Sequence, residues 1–421
     1  MVKHLKTNAA SLCLTKVRQL FDRPVVGDVG RAAVQELAAM TSTIVPGSRI
    51  AIAVGSRGIA DIVPIVSTTV DVIKRQGAIP FIVPAMGSHG GATAEGQADV
   101  LRGYGITESA VGAPVRSSMD TVELSHSTAG NRVFMDRQAY ESDGVVLINR
   151  VKPHTDYHGP YESGLVKMSV IGLGKHDQAL EIHSYGVYGL RELIPPTAER
   201  ILSTGKILFG VAIIENAFDE TMQVKALRAD EILRAETQLL ELSRAHMPRL
   251  PVDAIDVLMV DRLGKDISGC GMDPNIIGRM MIRGEPEPLR PTIKAILVTD
   301  LTPGSHGNAL GIGLADVITR RLFEKIDMDA MYENIVTSSF LERGKIPVVA
   351  PDDATAYAYA RRSCGALPVG LERIVRIQDT LHLSDVCVSD AILADLAERP
   401  DIEVLAGRDA VFSESGSLNP F

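Results

Sequence analysis

Two short apolar runs, each closed by a glycine-rich turn and followed by a helical pattern, restrict the fold more than any other feature of the chain. Arg49–Val54 (RIAIAV) reads as a buried strand that ends at Gly55-Ser56-Arg57-Gly58. Ile59–Gln76 follows with apolar residues at helical spacing, Pro64 in its first turns and Gly77 closing it. Ala78–Pro84 (AIPFIVP) repeats the pattern, passing through Met86-Gly87-Ser88-His89-Gly90-Gly91 into a helix from about Thr93 to Arg102. Strands that alternate with helices build parallel sheets, whose ligand crevices lie at the carboxyl ends of the strands. Arg57 and His89 are therefore placed where a site belongs, although a glycine-rich turn alone marks only a tight turn.

The alternation continues. Gly144–Ile148 and Lys206–Ile214 read as strands, Arg191–Ser203 and Ala229–His246 as helices. MPRLPVD then puts two prolines around Leu250, a natural boundary. Beyond it, strands at Ala254–Val260, Lys294–Thr299 and Pro347–Ala350 alternate with helices at about Asn308–Lys325, Met328–Glu342 and Asp352–Ser363, with Asp352 as an N-cap. A chain of 421 residues exceeds one ordinary core. The expectation is an α/β protein of two α/β domains, residues 1–250 and 251–406, with the active site in the cleft between them. The polar tail 407–421 is either frayed or packed back on the first domain.

Composition excludes several classes of function. Net charge is −9, basic residues are scattered and tryptophan is absent, which argues against a nucleic-acid surface. Cys13, Cys270, Cys364 and Cys387 are too far apart for a CxxC metal pattern or a disulfide framework. The first residues lack a continuous apolar core of signal-peptide type, and no run reaches membrane-spanning length, so a soluble cytoplasmic protein is expected.

The chemistry concentrates between Asn149 and Gly186, which holds His154, His158, His176 and His183, four of the ten histidines, together with Lys152, Lys167 and Lys175. Imidazoles ligate transition metals or carry protons, and a lysine amine is a covalent attachment point. GLGKH at Gly172–His176 fails the phosphate-loop spacing, because Ser169 and His176 stand where glycine and serine or threonine are needed. GMDPN at Gly271–Asn275 reads as a turn. His4, His126, His246, His306 and His382 stand alone and read as structural. A hydrolase or dehydratase with a divalent metal on His154, His158 and His183 is one reading of the cluster. A non-catalytic binder of anionic ligands, built on Arg57 and the glycine-rich loops, is another.

Taken in order, SRG at Ser56–Gly58, GSHGG at Gly87–Gly91, KPH at Lys152–His154, ESGLVK at Glu162–Lys167 and His183 resemble the nickel-dependent lactate racemase family over roughly residues 45–190. That resemblance implies a racemase or epimerase of 2-hydroxy acids. Arg57 would hold the substrate carboxylate, His89 and His154 would act as acid and base, and Lys167 would carry a covalently tethered nickel-pincer nucleotide. Gly87 and Ser88 would approach that cofactor, and His183, sixteen residues after Lys167, would ligate nickel. Proteins that synthesise the cofactor are the implied partners, and oligomeric state is left open.

The chain also departs from the family pattern. The acidic residue of the first loop is absent. About three extra residues between His154 and Lys167 make His158 the competing second base. The second-domain glutamine and lysine are missing after Asp273-Pro274-Asn275, so Lys265 or Arg279 is the expected replacement cation. A substrate other than lactate follows from these changes.

Overall fold

The computed structural model describes residues 12–55, 58–368 and 370–421, so Ser56 and Arg57 lie outside the described residues. The protein is α/β. In chain order the strands of the first half are β1 (Cys13–Gln19), β2 (Arg49–Val54), β3 (Ile79–Pro84), β4 (Thr121–His126), β5 (Arg132–Asp136), β6 (Gly144–Arg150), β7 (Ile207–Glu215) and β8 (Thr221–Arg228). Those of the second half are β9 (Ala254–Val260), β10 (Thr292–Val298), β11 (Val317–Thr319), β12 (Val348–Ala350), β13 (Ile374–Ile377), β14 (Asp385–Val388) and β15 (Ile402–Ala410).

The chain divides into two compact units, one of them Asp22–Met247. Its sheet runs β3-β2-β6-β7-β8, parallel through β7 and closed by antiparallel β8, with β4 and β5 forming a separate hairpin. Ile50, Ile52, Val54, Ile82, Val146, Ile148, Phe209 and Val211 are fully buried or nearly so, as continuous apolar runs require in a sheet covered on both faces. The helix Ile62–Arg75 lays Ile65, Val66, Val70 and Ile73 against them. Helix starts are set by side-chain caps. Asp28 accepts from the Arg31 amide and Thr93 from the Gly96 amide, each contributing about 1 kcal/mol.

The other unit is Pro248–Phe421 with the start of the chain, and its eight-stranded sheet runs β12-β11-β10-β9-β13-β14-β1-β15. It is parallel from β12 to β13 and antiparallel beyond. Two expectations change here. β1 belongs to this sheet, not to the domain that follows it in sequence: it pairs with β14 on one side and β15 on the other, and buries Leu14 and Val17 between them. The tail also packs on this unit: β15 extends to Ala410, and the Leu418 amide donates to Asp353 at 2.9 Å.

The helix expected over 308–325 does not form. Gly311 has φ +93° and lies against the Cys270 carbonyl, which stops a helix, and Val317–Thr319 becomes β11. Among the described residues no helix is long and apolar enough to cross a membrane.

Candidate active site

From β2 the chain steps outward to β3, then returns to lay β6 on the other side of β2. The crevice of such a sheet lies at this reversal, at the carboxyl ends of β2 and β6. Glu215, ending β7, ties the two ends together: it pairs with Arg150 at the end of β6 and accepts from the Ala60 amide at 2.8 Å, beyond the β2 turn. The segment that leaves β6 carries Lys152, His154 and His158.

Glu162, fully buried, folds that segment around its carboxylate. It accepts from the His154 amide at 2.5 Å, the Gly159 amide at 3.3 Å and Arg244 Nη2 at 2.8 Å, and the His158 ring leans on it at 3.3 Å. His154 is buried and His158 is largely exposed, so of the two competing histidines only His154 sits inside the site.

After Glu162 the segment becomes mostly helical. A short helix, Leu165–Lys167, runs into a wide π turn, Met168–Gly172, and on to the helix Lys175–His183. π turns recur at functional sites because the extra residue re-aims the side chains around it. Here the wide turn receives the GSHGG loop: the Gly87 amide donates to the Gly172 carbonyl at 3.3 Å, and Gly87 has φ +61°. A Cβ at Gly87 would lie 2.9 Å from Ile171 Cγ2, and one at Gly172 would lie 2.8 Å from the Ala85 carbonyl oxygen. Only glycine on both sides allows this approach. It brings the loop of Gly87, Ser88 and exposed His89 onto the element that carries Lys167.

Lys167 Nζ lies 2.5 Å from His154 Nε2 and 5.3 Å from the centre of the Tyr157 ring, which itself packs 4.7 Å from the His154 ring. The polarity of this contact can be assigned. His154 Nδ1 accepts from the Asp156 amide at 3.0 Å, so a neutral His154 carries its proton on Nε2, facing Lys167. Two donors cannot satisfy each other, so a neutral His154 and a charged Lys167 meet at this distance only if one of them gives up a proton. Asp156 Oδ2, 3.8 Å from Nδ1, is beyond hydrogen-bonding range and does not alter the assignment.

His183 ends the helix. Desolvation first, then the Lys167 charge, push its imidazole down to about 4, with Asp156 opposing. A ring held down in this way is neutral near pH 7 and has a lone pair to offer.

Lys175 has a different task. Fully buried, it donates to the Pro84 carbonyl at 2.5 Å and Gln97 at 3.1 Å and pairs with Asp136 at 3.2 Å, which holds β3, the helix Ala94–Gly103 and β5 together. No attachment point is left there.

Lys265 and Arg279 fall in the other unit. Lys265 donates to the Gly269 carbonyl and Asn334, while Arg279 is committed to Asp316 and to the carbonyls of Leu314 and Ile293. Arg279 thus braces loops within that unit.

The buried carboxylate of Glu236 escaped the sequence reading, and Glu162 entered it only as the first letter of ESGLVK, without its buried role. Glu236 Oε2 accepts from the Val166 amide at 3.0 Å, and its carboxyl fills the space a side chain at Gly164 would take. Burial raises it to about 7, against hydrogen bonds from Val166 and Leu165. The glycine within ESGLVK was the one available signal.

Among the described residues no group of three or more His, Cys, Asp or Glu converges as a metal site, so the three-imidazole reading does not form. The donor set suits instead a group that brings its own metal ligands and needs one amine and one imidazole from the protein.

No family model and no curated protein matches the chain. A crystal structure of a protein from Thermotoga maritima is similar to it with a TM-score of 0.52 and 12% identity, over 86% of this chain and 99% of that one, and supports the α/β fold. The lactate racemase apoprotein from Thermoanaerobacterium thermosaccharolyticum is similar with a TM-score of 0.49 and 11% identity, over 82% of this chain and 99% of that one.

Proposed function

We propose that the protein is a racemase or epimerase of a 2-hydroxy acid, with a nickel-pincer nucleotide tethered at Lys167 and its metal held by His183. The observation that carries this reading is the contact of the Lys167 amine with His154 Nε2 at 2.5 Å: a covalent attachment needs the neutral, nucleophilic form of lysine, and an imidazole at that distance is placed to favour it. An α/β fold hosts many activities, so the site and not the fold supports the assignment.

When bound, the group supplies a hydride acceptor for the hydrogen on the hydroxyl-bearing carbon. The remaining work falls to the chain. Arg57 clamps the carboxylate as a two-pronged guanidinium. His154 and His89 take and return the hydroxyl proton from two sides, which inversion requires. For His154 to accept at Nε2, its single ring proton must sit on Nδ1, which then gives up the bond from the Asp156 amide and faces the Asp156 carboxylate, 3.8 Å away. Tyr157 walls the site, its phenol held neutral by burial and then by Glu162. Neutral His183 offers its ring to the metal.

The test is co-production of the full chain with enzymes that make the nickel-pincer nucleotide, followed by peptide mass spectrometry. An adduct on Lys167, lost in Lys167→Ala, with inversion of a 2-hydroxy acid that retains its α-deuterium, is the expected result. An adduct on another lysine, or exchange of the deuterium with solvent, overturns the reading.

A further inference from the structure

The second unit repeats, by itself, the topological condition for a ligand crevice. From β9 the chain steps outward through β10, β11 and β12, then returns to lay β13 on the opposite side of β9. The crevice therefore belongs at the carboxyl ends of β9 and β13. Asp261-Arg262-Leu263 leaves one strand and Gln378-Asp379-Thr380-Leu381-His382 the other, joined where the Arg262 amide donates to the Gln378 carbonyl at 3.1 Å.

Asp379 is fully buried between them. Its Oδ2 accepts from Arg262 Nε at 3.0 Å and Nη2 at 2.9 Å. Its Oδ1 accepts from His382 Nδ1 at 2.8 Å and from the amides of Leu381 and His382 at 2.9 Å. Desolvation opposes ionisation, yet the hydrogen bonds from His382 and Arg262 hold the carboxyl below its usual range. An ionised acceptor at Nδ1 puts the proton of a neutral His382 there and leaves the lone pair on Nε2.

Among the described residues no hydrogen bond engages His382 Nε2 or Arg262 Nη1. The two side chains keep 57% and 40% of their surface in solvent. A loop staple accounts for the two amides on Asp379 but not for a guanidinium and an imidazole standing side by side at the sheet's switch point. Lys265 and Arg279, the cations expected here, are occupied elsewhere.

We propose that Arg262 and His382, held together on the Asp379 carboxylate, form a binding site in the second unit for a small hydroxy carboxylate. Arg262 takes the carboxylate and His382 Nε2 accepts from the hydroxyl. The ligand class rests on the 2-hydroxy-acid reading above; the geometry of the pair does not.

The experiment is an NMR titration of the full-length protein without cofactor, labelled at histidine, with the His382 signal assigned by its loss in His382→Gln. Glycolate should shift that signal saturably, and acetate, which lacks the hydroxyl, should bind several-fold more weakly. Arg262→Ala should weaken glycolate about tenfold or more, as loss of a charge-assisted contact does. Should Arg262→Ala fail to fold, Arg262→Lys keeps the charge and loses the fork, and should bind glycolate measurably more weakly than the wild type.

The absence of a saturable shift, glycolate affinity unchanged in whichever arginine variant folds, or phosphate binding more tightly than glycolate overturns the proposal. The titration involves neither Lys167 nor the nucleotide, so a missing Lys167 adduct would sink the racemase reading alone.

Discussion

Replacing His154 removes the ring that meets Lys167 Nζ, whereas replacing His158 removes an exposed ring resting on Glu162. In cofactor-loaded protein, His154→Ala should lower turnover of a 2-hydroxy acid by about a hundred- to ten-thousand-fold. His158→Ala should cost far less, and the reverse ranking in steady-state assays would move the base to His158. Glu236 gives a pH prediction. Its carboxyl titrates near 7 in the folded chain, above the ordinary 4.5, so the folded state binds the extra proton between those values. Stability is therefore greatest below about 4.5 as far as this group is concerned, and falls as pH rises through 7, by on the order of 3 kcal/mol. Glu236→Gln mimics the protonated form, and its Tm should exceed that of the wild type at pH 8 and match it near pH 5. Lys167 and His183 were singled out in the sequence through the resemblance that their motif and spacing carry, and the structure puts them on successive helical elements, Leu165–Lys167 and Lys175–His183. Glu162 and Glu236 were not legible, since nothing in a sequence marks a glutamate as buried until the backbone it receives is placed.

At the scale of elements, β2, β3, β6, β7 and β9 were readable because each is a continuous apolar run bounded by glycine, proline or charge. The hairpin β4–β5, with its mixed polarity, was not, and β11 hid inside a helix-like pattern that Gly311 interrupts. The π turn Met168–Gly172 also lies beyond sequence reading, as an extra residue per turn leaves no period of its own. Gly172→Ala tests its seat against the loop before Gly87. A methyl group 2.8 Å from the Ala85 carbonyl oxygen must displace backbone, which should cost about 1–3 kcal/mol in urea unfolding and lower the yield of the Lys167 adduct. An unaltered midpoint would show that the loop gives way freely.

At the scale of the whole molecule, the two units differ in what they need from the chain. Asp22–Met247 contains every strand of its own sheets, so a fragment 22–247 should fold alone and show dispersed amide signals in NMR. Residues 248–421 lack β1, which pairs with both β14 and β15, and that fragment should remain unfolded or aggregate until a peptide covering residues 1–21 is supplied. Dispersed spectra from 248–421 without the peptide would refute this. The prolines around Leu250 marked the seam between units, but the ownership of β1 was invisible, because a strand's partners are long-range and its own pattern does not name them.

That ownership sets the order of events during synthesis. The ribosome releases β1 first and its neighbours last: Arg18 meets Asp385 across 367 residues. The unit that begins the chain is therefore the last to be finished, and an entire folded insert emerges while β1 waits with both of its edges open. Closing so long a loop slows assembly, and until it closes the lone strand is the part of the nascent chain most in need of a chaperone.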